Sequence, residues 1–89
     1  MTEDKESDDV MRLRRGDDAV LGPLFDRQRA RLRRIVVFRL DPVLVGRIDA
    51  DDVVQEAYLA AAKRLAHFRE RPEMSFSVWM RLIVIQTLT

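Results

Sequence analysis

The chain has no cysteine, one histidine, one tryptophan, one tyrosine and only three glycines among 89 residues. Each shortage closes a class of chemistry. Without thiols there is no disulfide, no thiolate nucleophile and no zinc ribbon, and the absence fits a reducing compartment. The lone His67 has no second histidine or cysteine with which to build a metal pair or a nucleophile-base arrangement, so it reads as a surface residue near a helix end. Three scattered glycines form no phosphate-cradling loop, which argues against a nucleotide-dependent enzyme. No apolar run nears the roughly 20 residues of a membrane span, and the opening MTEDKESDD is acidic where a signal peptide is basic and then apolar. The expectation is a cytoplasmic protein with no membrane contact, no cofactor, no metal and no catalytic residues.

What remains is 47% hydrophobic and 35% charged, the composition of a globular helical protein. Eighty-nine residues make one domain, and a domain of that size buries only about 60% of its unfolded surface, so its stability is expected to be modest. The formal charge of +1 hides a segregation: five acidic residues against one lysine in the first nine positions, then nine arginines against three aspartates from Arg12 to Arg39. A basic stretch beside an acidic tail suits a protein that meets polyanions without binding them indiscriminately, although solvated helix faces give the same pattern.

Residues 1–9 are expected to form a disordered acidic tail, and residues 10–89 one helical domain. Ser7, Asp8 or Asp9 caps a short helix from Val10 to Arg15, with Gly16 as its C′ residue. Asp17 and Asp18 open a second helix running to about Leu40, with Pro23 near enough to its start to be tolerated or to mark a bend. Leu21, Leu24, Phe25, Leu32, Ile35 and Val36 share one face of it, and the arginines spread over the others. Asp41-Pro42 stops the helix, and the following loop is expected to tuck Val43, Leu44 and Val45 against the bundle.

Asp49 caps a third helix, Ala50 to about Phe68, whose core arc holds Val53, Val54, Ala57, Tyr58, Ala61, Leu65 and Phe68. Leu59 falls in the middle of the opposite, polar face. Pro72 breaks the chain, and Ser75 caps a fourth helix, SFSVWMRLIVIQTLT, that is apolar almost all round. It reaches the last residue without a stop signal, so the natural protein is expected to continue. The fold class is all-α, a compact three- to four-helix bundle in which the second and third helices run nearly antiparallel and the fourth lies across their end. Carboxylates gather at Asp49, Asp51, Asp52 and Glu56. A helix N-terminus attracts acidic residues through its dipole alone, so capping is the favoured reading over an ion site or an acid-base pair.

The segment RIDADDVVQEAYLAAAKRLAHF, Arg47 to Phe68, resembles the most recognisable stretch of the sigma-70 family, an Asp-Val-Val-Gln-Glu core followed by an aromatic and a leucine. RRGDDAVLGPLFDRQRARLRR, Arg14 to Arg34, is similar to the family's opening helices, and SFSVWMRLIVIQTL to its aromatic DNA-binding helix. The compact form resembles the extracytoplasmic-function group, and the fold implied is that of sigma region 2. The resemblance implies a domain that grips the clamp helices of the largest subunit of the RNA polymerase core and melts the −10 promoter element by holding flipped non-template bases. It also implies a −35-binding domain beyond Thr89, and leaves open an anti-sigma factor that covers these faces.

By the same resemblance Asp51, Asp52, Gln55 and Glu56 contact the polymerase clamp and Leu59 packs on it. The residues agree: a leucine ringed by hydrogen-bonding side chains has the make-up of an anchor with a polar rim, the bland alternative being a solvated face with an incidental leucine. For promoter DNA the implied residues are Phe68, Arg69, Arg71, Ser75 and Phe76 at the junction before the last helix, with Arg81 and Gln86 within it. Trp79 is read as core rather than as a base platform. The sequence departs from the family at Ile85, where arginine is common, at Gln86, where asparagine is usual, and at Gln28, a polar residue on an apolar face that needs a partner. Two other readings stand beside this one. One is a helical interaction module that kept the clamp-binding face without DNA recognition. The other is a helix-turn-helix regulator, against which the long Asp41 to Asp49 connection argues.

Overall fold

The computed structural model describes residues 2–44 and 46–88, with side chains from Glu6 onward. Among the described residues there are five α-helices and no strand: α1 Thr2–Arg14, α2 Leu21–Arg39, α3 Ala50–Lys63, α4 Leu65–Arg69 and α5 Phe76–Leu88. One 3-10 turn, Asp18–Val20, leads into α2. The whole measures 42 × 28 × 21 Å. No helix is long and apolar enough to cross a membrane.

The core is a three-way contact of α2, α3 and α5. Helix α2 contributes Leu21, Leu24, Phe25, Leu32 and Val36, spaced three, four or seven apart as one face requires. From α5 come Phe76, Trp79, Met80, Ile83 and Val84. The face of α3 between them is made of small residues, Ala50, Val54, Ala57 and Ala61, so both neighbouring helices can approach its backbone closely. Helix α4 adds Leu65 and Phe68. Phe68 lies 4.9 Å from Trp79 and 5.9 Å, edge-on, from Phe76, forming an aromatic cluster at one end of the core; such pairs add about 0.5–1.5 kcal/mol each beyond their area.

Helix α1 starts at Thr2, not at Val10, so the segment expected to be disordered is helical. The reason lies in tertiary partners that sequence periodicity does not display. Asp9, only 7% exposed, sits 3.0 Å from Arg27 and 3.7 Å from Arg12. Glu6 accepts a hydrogen bond of 2.9 Å from Gln28, and Gln28 in turn accepts one from Arg31 at 3.2 Å. The polar residue on the apolar face of α2 therefore has its partner, supplied by the acidic stretch itself. A 13-residue helix is marginal alone, and these ties, with buried Leu13, hold it to α2.

Helix α1 ends in a complete Schellman motif. The Asp17 N–H bonds to the Arg12 carbonyl at 3.0 Å and the Gly16 N–H to that of Leu13 at 3.1 Å. Gly16 has φ +107, a backbone that a side chain resists. An ion pair, Arg12 to Asp17 at 2.7 Å, spans the positions where an apolar contact usually accompanies the motif. Asp17 therefore closes α1 instead of capping α2, and α2 begins at Leu21 after the 3-10 turn. Pro23 is the third residue of α2, where no intrahelical partner for an N–H exists, so it is tolerated without a bend.

Two further expectations give way. The third helix is broken at Arg64 (φ −115, ψ 20), whose carbonyl accepts from both His67 and Phe68; no glycine or proline in the sequence marks the break. Val43 and Leu44 do not tuck in: Val43 is 73% exposed and Leu44 is exposed too. A tight turn holds them outward, with Asp41 Oδ1 accepting from Val43 N at 2.9 Å and the Asp41 carbonyl accepting from Leu44 N at 2.8 Å. Val45 lies outside the described residues. Ser75 does cap α5, accepting from Val78 N at 3.2 Å.

Gly16→Ala is expected to lower the unfolding free energy by about 1–2 kcal/mol in urea denaturation, the cost of a positive φ at a residue with a Cβ. Asp9→Ala, which strands the Arg27 guanidinium beside α1, is expected to cost about 1–3 kcal/mol. A loss below about 0.5 kcal/mol would mean that the pair acts only as a surface contact.

Candidate functional site

Two surfaces assemble the residues singled out in the sequence. The first is the outer face of α3. Asp49 fixes where the helix begins, its Oδ1 accepting from Asp51 N at 2.9 Å, and the buried small-residue face fixes its rotation. Asp52, Gln55, Glu56 and Leu59 consequently point outward together. They line a shallow groove of about 520 Å³ whose other wall is Arg47 and Ile48. Leu59 is 51% exposed, a large apolar side chain flanked by two carboxylates and an amide. Asp51 does not join them: it turns toward α2 and lies 3.2 Å from Arg33. With both partners more than half exposed, that pair is worth little, about 0.2–1 kcal/mol. Among the described residues no group of histidine, aspartate or glutamate has the arrangement to hold a metal ion.

The second surface is the groove where α4 and the following loop face α5. It encloses about 720 Å³, with Lys63, Arg64 and Arg71 supplying cations, Glu70 a carboxylate, and Trp79, Leu82 and Ile83 an apolar wall. Arg64 donates to Gln86 Oε1 at 2.8 Å, tying the α3–α4 junction to the last turn of α5. The indole N–H of Trp79, buried at the groove wall, has no acceptor among the described residues.

Of the residues expected to meet DNA, Arg71, Ser75, Arg81 and Gln86 are exposed. Phe68 and Phe76 are not; both are buried in the aromatic cluster with Trp79. Neither ring can stack on a base without unpacking the core, because the end of α4 and the start of α5 face each other and their aromatic residues fill the space between. Arg69 is also committed: its Nε donates to the Leu13 carbonyl at 2.8 Å and its Nη2 pairs with Asp18. Arg81 stands apart from the α4–α5 groove. It shares a smaller one, about 340 Å³, with Arg31, Arg34, Ile35, Phe38 and Arg39. No carboxylate lines that groove, and Phe38 is 90% exposed within it.

Sequence reasoning missed Lys63 and Arg64, and it missed the Phe38 cluster. The signal for the cluster was present: Phe38 follows Arg31 and Arg34 by seven and four residues, which places a large aromatic residue on the arginine side of α2.

The family model described as sigma-70 region 2 matches residues 24–89, from α2 to the end of the chain. No curated protein and no solved structure matches. The all-helical core agrees with that match. The chain belongs to the sigma-70 region 2 family, the part of a sigma factor involved in binding core RNA polymerase and recognising the −10 promoter element.

Proposed function

We propose that the chain is the region 2 domain of a cytoplasmic sigma factor of the extracytoplasmic-function group. It binds the clamp helices of the polymerase largest subunit through α3 and melts the −10 element through the α4–α5 face. The observation that carries the polymerase contact is the outward row of Asp52, Gln55, Glu56 and Leu59. An exposed leucine supplies desolvated area, and the carboxylates and amide around it supply direction toward a basic, polar helix. The sequence matched to the family includes this row whole. Asp51, engaged with Arg33, is a rim residue at most.

For DNA the reading rests on exposed cations. Arg71, Lys63 and Arg64 border one groove, and Arg81 stands near Arg34 and Arg39 in the other. Arg34, Arg39, Arg71 and Arg81 make no ion pair among the described residues, so each is free to neutralise a phosphate. Phe68 and Phe76 shape the wall from beneath instead of touching bases, and Ser75 sets where α5 begins. Net charge near zero keeps the free domain's DNA affinity low, so promoter contact follows delivery by polymerase. An anti-sigma factor that covers either face would block this order of events.

Calorimetry of the chain with a purified polymerase clamp coiled coil is expected to give micromolar affinity, about −8 kcal/mol. Leu59→Asp is expected to weaken it by about tenfold or more, whereas Asp51→Ala stays within about twofold. A folded wild type that does not bind would leave an interaction module of some other partner. In the assembled polymerase, Arg71→Ala and Arg81→Ala are each expected to weaken binding of a non-template −10 strand and to reduce the salt slope by about 0.7. An unchanged slope for both would move the strand off this face.

A further inference from the structure

Helix α1 lies ahead of the stretch matched to the family, yet it reaches the loop that links α4 to α5. The Arg14 guanidinium is the point of contact. Its Nη1 donates to the carbonyl oxygens of Phe68 (3.0 Å) and Arg71 (3.3 Å), and its Nη2 donates to that of Met74. The plane of the same group covers the Phe68 ring, with Cζ 3.9 Å from the centroid. Three carbonyls spaced three residues apart thus converge on one cation, and the loop is wound around it.

The contact is reciprocal. From the loop side, Arg69 donates to the Leu13 carbonyl at the end of α1 and pairs with Asp18 beyond it. Each arginine caps the C-terminal end of the helix that carries the other. Besides the Glu70 N bond to the Ala66 carbonyl at the end of α4, two turn bonds order the loop among the described residues, Arg71 N to the Phe68 carbonyl and Met74 N to the Arg71 carbonyl. Met74 packs partly buried against the core, whereas Glu70, Arg71, Pro72, Glu73 and Ser75 are exposed.

We propose that Arg14 is a positioning residue for promoter opening, holding residues 68–74 in the shape that receives the melted strand. The proposal rests on the reading of the α4–α5 face as the DNA surface. Two physical effects act together. The planar fork, satisfied on three carbonyls and stacked on an aromatic ring, fixes the loop's course in a way a flexible ammonium does not. Its charge also offsets the carbonyl oxygens at the end of α4, whose negative potential would otherwise face an incoming phosphate chain.

The test uses the whole chain assembled with core polymerase, reading core affinity and affinity for a fluorescent non-template −10 strand. Arg14→Ala and Arg14→Lys are compared with Leu32→Ala, which destabilises the core far from the loop, at a temperature where all are folded. The expected result is core affinity within about twofold for all, with strand affinity reduced about tenfold in Arg14→Ala, less in Arg14→Lys and unchanged in Leu32→Ala. Strand binding by Arg14→Ala equal to wild type overturns the positioning role alone. A parallel loss of core and strand affinity in the Arg14 variants overturns it too, since a merely structural residue behaves that way. A wild type that holds core polymerase but not the strand overturns the DNA reading and this proposal together.

Discussion

The small-residue face of α3 is the constraint on which the other features depend. Ala50, Val54, Ala57 and Ala61 are buried against α2 and α5 at once. A larger side chain at any of these positions would push one neighbour away, because both contacts draw on the same narrow strip of surface. Once that strip is turned inward, the opposite side has no freedom of rotation. Asp52, Gln55, Glu56 and Leu59 must face outward, and the helix that makes the core is also the helix that presents the face proposed to bind polymerase.

The same logic sorts what the sequence disclosed from what it did not. Helices α2, α3 and α5 were legible because their apolar residues recur at helical spacing, and Asp49 and Ser75 were legible because caps are local chemistry. Gln28 was legible as a buried amide in want of a partner. Its partner was not, since Glu6 reaches it from 22 residues away. The first turns of α1 were misread for that reason: an acidic, polar stretch looks unfolded until the arginines and the amide that receive it are brought alongside. The exposed Val43 and Leu44 were misread in the other direction, since apolar residues in a loop suggest burial, whereas the Asp41 turn holds them in solvent.

The face proposed to meet DNA shows a sharper divide. The family resemblance implied Phe68, Arg69 and Phe76 as DNA contacts at the junction before the last helix. Their placement at facing helix ends instead gives the aromatic rings to the core and the guanidinium to α1. Arg71, Ser75, Arg81 and Gln86 are exposed, since nothing apolar is required at their positions. Sequence reasoning worked where a side chain answers to its own helix and failed where it answers to another.

Arginine use extends that division to electrostatics. Arg12, Arg27 and Arg33 are paired with aspartates, and Arg14 and Arg69 are spent on backbone carbonyls. A paired arginine gives up its partner before it can neutralise a phosphate, so these contribute to shape more than to nucleic-acid affinity. Among the described residues Arg34, Arg39, Arg71 and Arg81 lack such partners, and all four border grooves on the surface of α2, α5 and the loop after α4. The acidic groups left outward on α3 line a separate groove, the one proposed to meet the polymerase. A formal charge of +1 therefore describes the chain poorly. Its carboxylates gather along the outer face of α3 and its unpaired arginines border the other grooves, while the Asp9–Arg27 pair between α1 and α2 takes one charge of each sign out of play.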